Sequence, residues 1–315
     1  MNIRLRNMRK WMAAVLAVAV SGIVIAAIGP IASSGANENG SQVLYSSLVS
    51  PYSAQNPPNE WWSLSFGGTQ ATQFGDKVNL ASSSRLGSAT VMLDSQACQT
   101  GTGLTCVTTK GATFPVSIMF TIYRPGATGG TVGAVLATQT KTFNVPYRPS
   151  ANPTACAAGT NSIFAGPPGT NDGTQWLDPA TGTCYYGVVY PATFRFEGSR
   201  ELPTTVVYGV SYDATSSVPA SSLNVLMSTE SASGAVTVGS DTDPGNLFVQ
   251  ARSAGNALGG PNGQITCSAV VGPFAEYNTA MNGTTGCGTD TYQADSTTSY
   301  LPIAFVPAVE IDSNS

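Results

Sequence analysis

The residues best suited to chemistry in this 315-residue chain are carboxylates in the string Asp241-Thr242-Asp243-Pro244-Gly245-Asn246. Acids at alternate positions followed by Gly and Asn can gather oxygens around Ca²⁺, a hard cation that takes oxygen ligands. Asp76 joins such a site if a neighbouring strand brings it close. The string lacks the rest of an EF-hand loop and has no acid at its end. A plain Asp/Pro/Gly turn between strands accounts for the same residues and is the simpler reading. A structural Ca²⁺ is therefore the one cofactor the sequence suggests.

Other chemistries are narrowed by what is missing. The chain has no His, which removes Ser-His-Asp and Cys-His nucleophiles and the H-E-x-x-H zinc centre. Neither a G-x-S-x-G elbow nor a phosphate-cradling G-x-x-x-x-G-K loop occurs. Paired carboxylates need no His, and glycoside hydrolysis requires only two acids flanking a bond. Asp172, Asp178, Glu197, Glu201 and Glu276 are the candidates, with Glu197 and Glu201 read as solvated residues beside a turn. Exposed aromatic rings can stack on sugar faces, and Trp61, Trp176, Tyr147, Tyr185 and Tyr186 sit in or beside loops. The alternative for Trp61 and Trp176 is a ring covering loop backbone. Trp62 alternates with Leu64 and Phe66 and belongs to a core.

Six cysteines follow: Cys98, Cys106, Cys156, Cys184, Cys267 and Cys287. They are even in number and none forms a C-x-x-C pair, so disulfides fit better than a zinc site. Six cysteines allow 15 pairings. The simplest is local, Cys98–Cys106, Cys156–Cys184 and Cys267–Cys287, each closing a Gly/Thr/Pro-rich loop.

These residues need a scaffold, and its plainest element is Leu202–Asp213. Val206, Tyr208, Val210 and Tyr212 alternate with Val207, Gly209, Ser211 and Asp213. That is the pattern of a strand buried on one face. If its small face is open, Ser211 and Asp213 line a shallow groove. Further strands are expected at Trp62–Phe66, after a turn at Gln73–Asp76, at Thr90–Asp94, Phe114–Tyr123, Cys184–Glu197, Leu223–Met227 and Leu247–Arg252. Leu136–Val145 reads as an outer or edge strand. A closing strand carries Ile303, Phe305, Val309 and Ile311, with Pro302 and Pro307 suited to an edge.

About ten strands and no amphipathic helix outside the leader predict a single antiparallel β-sandwich, jelly-roll-like, with disulfide-closed loops. Residues 37–60 read as an N-terminal extension and 61–315 as the sandwich domain. Excursions at 148–183 and 254–299 are long enough to carry function.

Several strings in this order resemble a known family. They are Gln73-Phe74-Gly75-Asp76-Lys77-Val78-Asn79-Leu80-Ala81, Thr90–Ser95 leading to Cys98, Phe143-Asn144-Val145-Pro146-Tyr147-Arg148-Pro149-Ser150-Ala151 and Gly182-Thr183-Cys184-Tyr185-Tyr186-Gly187. The 202–213 strand, Ser222–Val225 and Val238–Asp241 continue the series. Together, over about residues 60 to 311, they resemble secreted all-β proteins of bacteria, often high-GC Gram-positive ones. Gln73 departs from the acid common at its position, and the closing strand around Ala308 and Val309 matches loosely. The resemblance implies export and a β-sandwich, and it supplies no reaction and no catalytic residue.

Composition and leader bound the setting. Residues 1–36 have the form of a secretory signal: a basic start (Arg4, Arg6, Arg9, Lys10), an apolar run from Trp11 to Ile28, the helix break Gly29-Pro30 and small residues ending at Ala36. Cleavage is expected after Ala36; the alternative is an uncleaved anchor of roughly 18 or more apolar residues. Without those four cations the balance is nine basic against 17 acidic residues. An acidic, Lys-poor body argues against nucleic acid as a partner, and against a membrane beyond the leader. The expectation is an exported, non-catalytic protein that binds polysaccharide or another cell-surface component. A secreted hydrolase with two carboxylates and a structural or adhesive protein are the alternatives.

Overall fold

The computed structural model describes residues 40–48, 62–66, 71–127, 131–157, 171–180, 182–198, 201–213, 219–230, 236–242, 246–251, 264–265, 275–278, 292–293 and 304–314. The described residues form an antiparallel β-sandwich. Its strands in chain order are β1 (Val43–Ser46), β2 (Trp62–Ser65), β3 (Ala71–Asn79), β4 (Ser84–Ser95), β5 (Thr113–Pro125), β6 (Val132–Pro146), β7 (Trp176–Asp178) and β8 (Thr183–Tyr185). There follow β9 (Val188–Arg195), β10 (Glu201–Leu202), β11 (Thr205–Tyr212), β12 (Leu223–Glu230), β13 (Ser240–Asp241) and β14 (Asn246–Ala251). The last are β15 (Gln264–Ile265), β16 (Ala275–Asn278), β17 (Tyr292–Gln293), β18 (Ala304–Pro307) and β19 (Val309–Ser313). Among the described residues, helix is confined to short turns such as the 3₁₀ segments Gly103–Thr105 and Ala220–Ser222.

One sheet has seven strands in the order β16-β14-β3-β11-β5-β6, with β13 also on β3. The strand singled out by alternation, β11, lies at its centre. Tyr208 faces Asp76 of β3 on one side and Ile122 of β5 on the other. Val206, Tyr208, Val210 and Tyr212 are all buried and point into the core between the sheets. Large side chains at every second position give such a strand its inward face, each contributing roughly 1.5–3 kcal/mol on burial. β6 forms the edge expected of Leu136–Val145, and its residues are largely exposed.

The turn expected at Gln73–Asp76 is instead the middle of β3. Gly75 pairs with Gly209 across the sheet, and a Cβ at Gly75 would overlap the carbonyl oxygen of Tyr208. Glycine here marks close approach of two backbones rather than a reversal of the chain. Gly209 has a related role. A Cβ there would overlap the amide of Gln73, which lies across β11 and donates to the hydroxyl of Tyr123 at 2.9 Å.

The second sheet has eight strands, organised on β4. β9 and β10 pair along one of its edges. Along the other, β12 pairs at Leu93–Ser95 and β19 at Leu86–Val91. β19 is therefore interior, which corrects the expectation of an edge for Val309 and Ile311, whereas β18, with Phe305 and Pro307, ends the strand order beside β12. β18 pairs with β12, then β19 pairs with β4. Ala308 serves both, donating to Leu226 O at 2.8 Å and accepting from Met92 N at 2.9 Å. Pro307 sits where the strand changes partners, so a residue without an N–H falls at the switch and not in a continuous ladder. The extension contributes β1, which pairs with β19.

Aromatic rings join the two layers. Phe120 and Tyr208 stack with centroids 6.0 Å apart, Phe120 meets Phe194 of the other sheet at 5.6 Å, and Tyr45 approaches Tyr208 at 6.1 Å. Disulfides Cys98–Cys106 and Cys156–Cys184 close the two expected local loops. Cys267 and Cys287 lie outside the described residues, as does most of the excursion at 254–299.

Candidate functional site

Two concave features stand out among the described residues. The first is a groove of about 530 Å³ on the outer face of the seven-stranded sheet. β11 supplies Ser211 and an edge of Tyr212, Asp213 follows directly after it, β5 supplies Ser117 and Met119, and Thr72 and Thr140 come from β3 and β6. Alternation fixes this placement. Tyr212 points into the core, so Ser211 and Asp213 fall on the opposite side. The groove exists because the outward positions carry short side chains at neighbouring points of adjacent strands. Further along the same face the surface is filled instead. Val207 and Phe248 are buried there beside Tyr123 and Val132, and the Gln73–Tyr123 bridge crosses β11. The open stretch is thus bounded by a covered one. Asp213 is the single charged residue in the groove lining, and it is exposed.

The second feature is a cavity of about 290 Å³ at the end of the sandwich where β4 and β6 finish. Arg148, Thr102, Thr174, Tyr186 and Ser222 are among the residues that line it. Arg148 is 4% exposed and ties together three loops. Its Nε donates to Cys98 Sγ at 3.3 Å, and its Nη1 to Thr174 O at 2.7 Å and Tyr186 O at 3.2 Å. Nη2 donates to Gly103 O at 3.4 Å. Burial pushes the guanidinium pKa down, while Asp172 and Asp94 act the other way.

Asp94 is the residue that sequence reasoning missed. It lies on β4 in the outward register between buried Leu93 and Ser95, and it is itself 8% exposed. Its carboxylate accepts from Gln96 Nε2 at 2.8 Å and Ser63 Oγ at 3.1 Å, and Ser63 in turn accepts from Asn224 Nδ2 at 2.9 Å. Burial raises its pKa, against the lowering effect of those hydrogen bonds and of Arg148. The signal available was an acid in the run Val91-Met92-Leu93-Asp94, where burial costs unless partners are supplied.

The expected site residues are placed as follows. Asp241 pairs in register with Val78, two residues from Asp76 on β3. Both acids raise the pKa of Tyr208, after its burial and the influence of Tyr45. Asp76 is 1% exposed, and its Oδ1 accepts from Lys77 N at 2.7 Å. Two of the three acids assigned to calcium thus lie on neighbouring strands near Tyr208, Asp76 buried and Asp241 half-buried. Asp243 lies outside the described residues, and among the described residues no three such ligands gather.

Tyr185 requires a correction. It is 3% exposed, so it offers no ring face to a sugar. Trp176 is half-buried, packs on Tyr185 with centroids 5.6 Å apart and donates its indole N–H to Gly187 O at 2.8 Å. It covers loop backbone. Trp61 lies outside the described residues. The candidate catalytic acids have local duties. Asp172 accepts from the amide and hydroxyl of Thr174, Asp178 from Ala180 N, and Glu201 from Ser83 Oγ. Glu197 is exposed, and the side chain of Glu276 is outside the described residues.

The chain matches no known protein family, no curated protein and no solved structure. Among the described residues, no helix is long and apolar enough to cross a membrane.

Proposed function

We propose that the protein is an exported, non-catalytic binding protein of the bacterial cell surface or its surroundings. Its recognition surface is the outer face of the seven-stranded sheet, and its ligand is polyhydroxylated, of glycan type. The observation that carries this reading is the open groove of about 530 Å³ lined by Thr72, Ser117, Thr140, Ser211 and Asp213 beside Met119. Each hydroxyl both donates and accepts, and a carboxylate accepts from adjacent hydroxyls. Met119 offers a polarizable apolar patch for the C–H face of a sugar ring. The volume lies within the roughly 300–1,000 Å³ of ligand sites. Export is supported by the leader at 1–36, by the family resemblance and by two disulfides, which persist in oxidising compartments.

Glycan-array binding of the full chain, followed by titration of any hit, tests the reading. Ser211→Trp fills the groove and leaves the buried face of β11 untouched. It is expected to weaken binding at least about tenfold, equivalent to roughly 1.4 kcal/mol. Thermal unfolding should stay close to that of the unmodified chain. Absence of any glycan ligand, or undiminished binding by Ser211→Trp, rules the groove out.

A further inference from the structure

The cavity at the end of the sandwich is separate from the groove and has the opposite charge character. Its lining contains one charged residue, Arg148. A guanidinium has five N–H donors in a planar fork. Nε holds Cys98 Sγ, and the two hydrogens of Nη1 serve Thr174 O and Tyr186 O. Nη2 makes one long bond of 3.4 Å to Gly103 O, which leaves its other N–H unused. A side chain only 4% exposed thus keeps donor capacity at the wall of a 290 Å³ cavity. The ring of loops that fixes its plane is stapled by Cys98–Cys106, so the donor edge is held in place before any ligand arrives.

We propose that this cavity binds a small organic monocarboxylate, its carboxylate on the Nη2 edge of Arg148. The polar body lies among the hydroxyl-bearing residues Thr102, Tyr186 and Ser222. The remaining N–H of Nη2 can donate one charge-assisted hydrogen bond to a carboxylate oxygen. Asp94 and Asp172 both act on Arg148 without lining the cavity. Asp94 is held by Ser63 and Gln96, and Asp172 by Thr174. Their negative charges disfavour a dianion such as phosphate more than a single negative charge. One available donor edge likewise suits a carboxylate better than a phosphate.

The test is thermal unfolding of the full chain against increasing sodium lactate or sodium glucuronate, with sodium chloride and sodium phosphate matched for ionic strength. A ligand that binds only the folded state raises Tm in a saturable, concentration-dependent way. The two carboxylates are expected to do so, and chloride and phosphate are not. Ser222→Trp fills the cavity while leaving the four bonds of Arg148 in place, and should abolish the rise. Thr102→Phe, at an exposed loop position, does the same if Ser222→Trp fails to fold. Equal effects of chloride and carboxylate, or a carboxylate effect that survives cavity filling, overturn the site. A phosphate effect as large as that of lactate overturns the assignment to monocarboxylates.

Discussion

At the scale of single residues, Tyr208 carries more of the sandwich than its neighbours. It is fully buried at the centre of β11, stacks on Phe120 and meets Tyr45. Its hydroxyl donates to Pro307 O at 3.3 Å, the carbonyl at the point where the closing strand changes partners. One side chain therefore links the centre of one sheet to the switch in the other. Tyr208→Ala is expected to cost about 3–5 kcal/mol in urea denaturation, as deletion of a buried aromatic ring does. A cost below about 0.5 kcal/mol, typical of a surface position, would contradict the placement. The inward face of β11 was readable from alternation alone. Asp94 was not, because an acid between Leu93 and Ser95 has no visible partners in the chain order. Ser63, Gln96 and Arg148 reach it only through the fold.

At the scale of elements, β19 is the least ordinary strand. Glu310 and Asp312 share its outward face. Burial raises the pKa of Glu310 above the usual 4.5, with a further push from Asp312. Burial also raises Asp312 above the usual 3.8, and the Ser88 hydroxyl at 2.9 Å offsets part of that. Asp94 is shifted in the same direction. These carboxyls hold protons more tightly in the folded protein than in the unfolded chain, so between the unfolded and folded values the native state binds more protons. Their contribution to stability is full below the unfolded values and is lost as pH rises through the raised ones. Denaturation midpoints should therefore increase as pH falls from neutral through the raised values. Asp312→Asn should raise the midpoint at pH 7 and flatten that slope. A midpoint that instead falls steadily as pH falls from neutral to the usual carboxylate range, with the same slope in Asp312→Asn, would contradict the arrangement. The interior position of β19 was hidden in the sequence because Pro307 argues for an edge. The structure places the proline at the one point in the strand where the ladder changes hands.

At the scale of the whole molecule, the disulfides are the fastenings of the end that holds the Arg148 cavity. Cys98 touches Arg148, and the Cys156–Cys184 bridge ties 152–157 to the strand that precedes Tyr186. By loop-closure entropy the shorter bridge is expected to contribute about 2–3 kcal/mol and the longer about 3–4 kcal/mol. Replacing each pair by alanines and measuring the loss in urea checks both values. The longer loop should cost more, because closing it removes more entropy from the unfolded chain. Sequence alone determined the class of fold, the inward face of β11 and the exclusion of His-dependent chemistry, and it offered the two local bridges as the simplest of 15 pairings. Those follow from period-2 alternation, short separations and residue counts, which are properties of the chain order. Only the tertiary structure decided that β3 runs straight through Gly75, that the C-terminal strand is interior, and that Tyr185 is buried. It alone brought Ser117, Thr140, Ser211 and Asp213 to one groove and set Arg148 in the wall of a cavity. Each of these depends on strands distant in sequence lying side by side, and pairing between such strands leaves no local signal in the residues that make it.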